Sequence, residues 1–232
     1  MGWVSMKRIL IAGALALAVG GQALAADLPQ PPPPDTYVKA PVPVFTWTGI
    51  YVGINGGYAF ADSNWTSPPP ATGNFSTDGF LVGGTLGGNY QWGQFVIGIE
   101  ADGDWANLNG TTYNTCGSYG CATQSDWLAT VRGRAGYAFD RFLVYGTGGA
   151  AFGDLQASAG VLPFSGSTQT GWTAGGGIEF AFTPNLTAKV EYLYVDLGSQ
   201  SCPAGNCSYT GPATTVTLTE NIVRAGINYK FW

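Results

Sequence analysis

The chain has 232 residues, with nine basic and fourteen acidic side chains and no histidine. That balance leaves no basic stripe for nucleic acid, and without histidine the commonest general base and zinc ligand is missing. Only 10 % of residues are charged, while 36 are glycine, eight Trp, twelve Tyr and twelve Phe, a composition of turns and large apolar side chains.

Residues 1–25 read as a secretory signal peptide. Lys7 and Arg8 supply a positive region, Ile9 to Val19 an apolar stretch too short to span a bilayer, and Ala23-Leu24-Ala25 a cleavage site. Cleavage removes those two cations and no acid, leaving seven basic and fourteen acidic residues, net −7. Residues 26–45, "ADLPQPPPPDTYVKAPVPVF", hold seven prolines and favour an extended polyproline II tether outside the fold. The alternative is a segment docked on a cell-wall or protein partner.

From residue 46 to 232 one theme recurs: stretches of about ten residues alternate apolar with small or polar side chains, the strand period. In "TGIYVGINGGY" Ile50, Val52, Ile54 and Tyr58 oppose Tyr51 and Asn55. "GFLVGGTLGGNY" meets the tight turn "QWGQ", then Phe95, Ile97, Ile99 and Trp105 oppose Glu100, Asp102 and Asp104. In "WLATVRGRAGYAF" Trp127, Ala129, Val131, Ala135 and Tyr137 oppose Thr130, Arg132 and Arg134. The turn "DR" leads to "FLVYGTGGAAFG". Next, "GWTAGGGIEFAF" sets Trp172, Ile178, Phe180 and Phe182 against Glu179. After the turn "TPN", Leu186, Ala188, Val190, Tyr192 and Tyr194 oppose Lys189 and Glu191. The last segment sets Val223, Ala225, Ile227, Tyr229 and Phe231 against Arg224, Asn228 and Lys230.

Eight such segments, joined alternately by short turns and longer polar connections (61–78, 106–124, 154–170 and 198–213), predict an all-β, eight-stranded antiparallel transmembrane up-and-down β-barrel. A soluble sandwich would also alternate, but it offers no reason for aromatics near both ends of the apolar face. A transmembrane helix over 79–99 is disfavoured by its glycines, each of which costs about 1 kcal/mol of helix propensity, and by the burial of Asn89, Gln91 and Gln94.

The non-lipid face carries Glu100, Asp102, Arg132, Arg134, Glu179, Lys189, Glu191 and Arg224, four charges of each sign. An eight-stranded barrel has an interior just wide enough for side chains, where an unpaired charge is very costly. These eight are therefore expected to form a lumen ion-pair network, with Glu179 and Lys189 paired across the "TPN" turn. Four cysteines fall in two C-x4-C pairs, Cys116/Cys121 and Cys202/Cys207. In an exported chain they are expected as disulfides; three connectivities are possible, of which the local one closes the smallest loops. The spacing and the lack of histidine argue against a metal site, and no cofactor motif is present.

The stretches "WTGIYVGINGGY", "VIGIEADGDW", "WLATVRGRAGYAFDRFLVYGTGGAAFG", "AKVEYLYVDLGS" and "VRAGINYKF" resemble the outer-membrane immunogenic protein / opacity-like porin family of Gram-negative surface barrels. The resemblance spans residues 45–232 and is most specific in 127–153 and 186–198. It implies localisation in the cell outer membrane, surface-exposed connections and antigenicity, and it makes 26–45 a periplasmic tether. It also implies an assembly signal in Tyr229, Phe231 and Trp232, with Phe231 in phase with the lipid face and Trp232 one residue beyond. Expected partners are outer-membrane lipid and lipopolysaccharide, the barrel-assembly machinery and, through the tether, peptidoglycan; nucleic acid is not among them. Function is expected to be structural and surface-interacting, with a low-conductance or gated porin as the alternative. Barrel enzymes use a histidine that this chain lacks, so no catalytic residue is assigned.

Overall fold

The computed structural model describes residues 45–66, 73–113, 120–159, 162, 164–203 and 213–231. The signal peptide, the tether up to residue 44, Cys116, Cys207 and Trp232 lie outside these residues.

Nine strands are present: β1 (Gly49–Thr66), β2 (Gly73–Ser76), β3 (Asp78–Trp92), β4 (Phe95–Thr112), β5 (Cys121–Phe139), β6 (Phe142–Ala159), β7 (Ser165–Ala181), β8 (Leu186–Cys202) and β9 (Thr214–Lys230). From β3 to β9 neighbours in sequence pair antiparallel, and β1 pairs with β9 to close the sheet. Both β2 and β3 pair with β1, β2 opposite Asp62–Trp65 and β3 opposite Gly49–Ala59. They are two parts of one staves-length strand interrupted at Thr77, whose N–H still reaches the Ala61 carbonyl at 2.8 Å. The closed barrel therefore has eight staves.

Local chemistry accounts for the three tight turns. Gly93 takes the left-handed conformation (φ 61°) between β3 and β4, and Asp140 does so (φ 56°) between β5 and β6, a region Asp tolerates better than most residues. Between β7 and β8 the Thr183 hydroxyl accepts from the Asn185 and Leu186 amides at 3.3 and 3.0 Å, a side-chain-closed turn.

Two aromatic belts ring the outer wall. Trp92, Phe95, Phe139, Phe180, Phe182, Tyr229 and Phe231 lie near the short turns, and Phe60, Phe80, Trp105, Trp127 and Trp172 nearer the other end; all are exposed. From Phe95 to Trp105, ten residues at about 3.3 Å each and a tilt of about 40° cover about 25 Å, the height of an outer-membrane hydrocarbon band. Between the belts the wall is Ile50, Val52, Ile54, Ile97, Ile99, Val131, Val190 and Ile227, exposed aliphatics that suit lipid.

The strands do not end at the second belt. Across it the two faces exchange polarity. On β9, Arg224, Asn228 and Lys230 point inward and Val223, Ile227 and Tyr229 outward; further along, Val216, Leu218 and Ile222 point inward while Thr215, Thr217 and Thr219 face out. On β4 the inward Glu100, Asp102 and Asp104 give way to Ala106 and Leu108, and the outward Trp105 to Asn107 and Asn109. The wall has moved from lipid into water, so it now hides its apolar side. That side forms a core of Trp65, Leu81, Leu108, Leu155, Val195, Leu197, Val216 and Leu218 inside the projecting cylinder. Most described residues of 61–78, 106–124, 154–170 and 198–213, expected as loops, are strand for this reason.

Candidate functional site

Between the belts the lumen is filled by polar side chains from eight strands, β1 and β3 to β9. Arg132 on β5 has five partners: Nη2 reaches Glu100 (2.5 Å) and Asp102 (2.6 Å), Nη1 Glu191 (2.8 Å) and the Thr147 hydroxyl (3.5 Å), and Nε the Thr130 hydroxyl (3.1 Å). Two residues along the same face, Arg134 donates to Glu179 (2.7 Å) and to the Tyr51 hydroxyl (2.9 Å), and its guanidinium lies 4.0 Å from the centre of the Tyr145 ring. Arg224 on β9 reaches Asp102 (3.0 Å), Asp104 (3.1 Å) and Glu191 (3.3 Å). Lys189 sends its ammonium to Glu100 (2.8 Å). All of these side chains are buried.

The carboxylates are also held by neutral donors. Asp102 accepts from the Thr85 and Thr130 hydroxyls (2.8 and 2.9 Å), Glu100 from Tyr51 (2.8 Å), and Glu179 from Thr187 (2.6 Å) and Asn228 (3.0 Å). Such second partners satisfy lone pairs that one cation leaves open, which is what makes a buried ion network tolerable.

One expected pairing is corrected. Glu179 and Lys189 stand opposite each other in register, but Lys189 goes to Glu100 and Glu179 to Arg134. In so narrow a cylinder long side chains meet across the axis, so residues on distant strands compete with the cross-strand neighbour. Reading the strands also missed Asp104 as a member, so five carboxylates face four cations. It missed Tyr51, Tyr145, Thr85, Thr130, Thr187 and Asn228 too; their inward phase was the available signal. Gly87 seats the Tyr51 ring, since a Cβ there would lie 2.4 Å from it.

Apolar layers close the lumen on both sides of the charges. Beyond the second belt sits the core already described, which also buries Glu220 without an ion-pair partner among the described residues. At the short-turn end Trp47, 1 % exposed, packs on Val96, Ala138, Leu143, Tyr145 and Ala181 from β4 to β7. Its indole N–H donates to the Asp140 carbonyl (3.1 Å) and its amide to Gln91 (2.7 Å). The Lys230 ammonium bonds to the Thr46 carbonyl and lies over the Phe45 ring at 4.6 Å. The chain therefore crosses under the mouth before entering β1. Nothing in the alternation marked Trp47 as a stopper.

Of the other assigned residues, Cys121 and Cys202 are buried near the far ends of β5 and β8, and no free cysteine is found among the described residues. Tyr229 and Phe231 face outward with rings 5.4 Å apart.

A closed antiparallel barrel with a lipid-facing band, two aromatic belts and a polar filling defines a transmembrane barrel of the outer-membrane type. The sequence matches the profile described as outer membrane protein beta-barrel domain over residues 12–231, and the chain belongs to that family. It is 35% identical over 97% of its length to the whole of the 31 kDa outer-membrane immunogenic protein of Brucella melitensis. It is also 35% identical to the 22 kDa outer membrane protein of Rhizobium leguminosarum, over 83% of this chain and 82% of that one. Among solved structures it shares the fold of the outer membrane protein OprG from Pseudomonas aeruginosa (TM-score 0.52, 14% identity, 81% of this chain and 98% of that chain). The protein is located in the outer membrane, which makes the short-turn end periplasmic and the projecting end external.

Proposed function

We propose that the protein is a structural, surface-presenting barrel that stabilises the envelope and does not conduct. The observation that carries this reading is a lumen occupied at three successive levels: the Trp47 cluster, the ion-pair layer and the external apolar core. The eight charges assigned from the sequence act, with Asp104, as an internal brace. A porin would require all three levels to rearrange together. Reconstitution of refolded protein in planar bilayers is expected to give no discrete conductance steps; single-channel steps from pure protein would overturn the reading.

The same proposal assigns partners by surface chemistry. Membrane lipid covers the aliphatic band, lipopolysaccharide meets the outer belt, and the assembly machinery reads Tyr229, Phe231 and Trp232. The tether, 26–45, reaches toward peptidoglycan. An antigenic role follows the names of the relatives. Cys116, Cys121, Cys202 and Cys207 serve as disulfide staples of the external end, supported by the compartment and by the lack of free cysteines among the described residues. Thiol labelling without reductant is expected to find no reactive sulfhydryl in the exported protein, and quantitative labelling would contradict the pairing.

A further inference from the structure

Among the described residues every neighbouring pair of staves but one stays paired beyond the second belt, although the β3 ladder on β4 ends at Asp78 opposite Asn109 and β2 pairs with β1 alone. The exception is β7 with β8. Their ladder stops at Trp172 opposite Asp196, yet β7 extends to Ser165 and β8 to Cys202. The cause lies in β8: Gly198 takes a left-handed conformation (φ 73°), its amide bonded to the Asp196 carboxylate (2.8 Å), and the register of β8 on β9 shifts between Asp196 and Ser199. From there β8 continues on β9, up to Cys202 opposite Thr214. β7 continues on β6, from Gly171 opposite Ala151 to Ser165 opposite Ala157.

The backbone of Asp196 and Leu197 still lies against Gly171, so the outer part of β7 that is an edge strand is "SGSTQ", residues 165–169. None of its residues enters the external apolar core, and Gly166, Ser167 and Thr168 are exposed on both faces. Which backbone groups face the open side follows from the lower part of the strand. The Ala181 amide bonds toward β6 at Arg141, and the Phe182 amide toward β8 at Leu186. With no register shift between, the even-numbered residues point their N–H and C=O groups away from β6. Those of Gly166 and Thr168 face no paired strand among the described residues. Proteins usually guard such an edge with lysine, proline, an inward charge or a bulge; this stretch has none of these.

The surroundings bias the occupant. Asp154 stands opposite Thr168 on β6, and Asp196 opposite Trp172 on β8. Asp62, Asp78 and Asp126 lie on the same external collar, and no lysine or arginine lies beyond the level of Arg224 in the sequence of the projecting strands and their connections. A second copy in the same membrane would stand in the same orientation, bringing its β7 alongside in parallel, the weaker pairing, with a matching acidic collar.

We infer that the outer edge of β7, Ser165–Gln169, is a β-augmentation site that takes an extended, basic segment of an external polypeptide as an added antiparallel strand. Main-chain hydrogen bonds supply the affinity and the aspartates the preference for lysine and arginine. The inference rests on the proposal that this end presents a surface outside the cell. Its failure leaves the closed-lumen reading untouched, because conductance tests that separately.

The test uses the full refolded chain in lipid nanodiscs and a fluorescent peptide alternating lysine with valine. Saturable binding by anisotropy is expected, weaker for the glutamate-for-lysine peptide and absent for one interrupted by proline. Thr168→Pro removes an open-side N–H without touching the β6 ladder and is expected to weaken binding about tenfold, whereas Thr168→Ala keeps the backbone and binds as the parent does. Hydrogen exchange reads the unmodified protein: the Gly166 and Thr168 amides exchange freely alone and gain protection with peptide. The inference is overturned if no saturable binding occurs or Thr168→Pro binds like the parent. Amides already protected in the absence of peptide also overturn it: a segment of the same chain covers the edge if the protein is then monomeric, a second copy if it is dimeric.

Discussion

Arg132 touches three carboxylates, Glu100, Asp102 and Glu191, on two other strands. Its planar fork reaches all three at once, which an ammonium on a single stem could not do. Removing it leaves those anions buried, so Arg132→Ala is expected to destabilise the barrel by about 3–5 kcal/mol, with Arg132→Lys intermediate. The temperature at which the folded band converts to the unfolded one on a gel measures this, and an unchanged temperature would show that the arginine does not brace the wall. The alternate spacing of Arg132 and Arg134 was enough to place both on one face. It could not name their partners, because Glu191 and Glu179 come from strands far along the chain and meet the arginines only across the closed cylinder. Trp47 was harder still: a single aromatic before the first strand carries no period, and its role depends on the Asp140 carbonyl at a turn diametrically removed in the sheet.

At the scale of the strand, the bulges show how long staves keep their hydrogen bonds. The β5–β6 register shifts between Gln124 and Leu128, and the Asp154 carboxylate accepts the loosened Asp126 and Trp127 amides at 2.8 and 3.1 Å. Asp154→Ala is expected to cost about 1 kcal/mol and to speed exchange of those two amides, while Asp154→Asn, which retains an acceptor, stays near the parent. Equal exchange in all three would remove the carboxylate from this role. Strand identity, turn positions and phase within the bilayer were legible because lipid outside and charge inside give an unbroken alternation. The external third was not. At Asn221–Val223 on β9 the apolar residues change from the inner to the outer side, and a reader following one apolar phase takes that inversion for the end of a strand. The physical event is a change of solvent with the backbone unaltered.

Taken as one body, the molecule has three different interiors stacked along its axis, aromatic and aliphatic at the periplasmic mouth, ionic within the bilayer, and aliphatic again outside. Each suits the wall around it: where lipid takes the apolar side chains, charges fill the inside, and where water surrounds the cylinder the apolar groups turn in. The external section is a small water-soluble sandwich in its chemistry, grown without a break from a membrane-soluble one. The projecting wall also governs what a visitor from outside can read. It meets Asp62 and Asn64 but not Ala61, Ser63 or Trp65, which are turned to the axis. Any molecule that recognises this region reads every second letter across adjacent staves, so a synthetic copy of one continuous stretch displays residues the folded wall conceals and loses the neighbours it sets side by side.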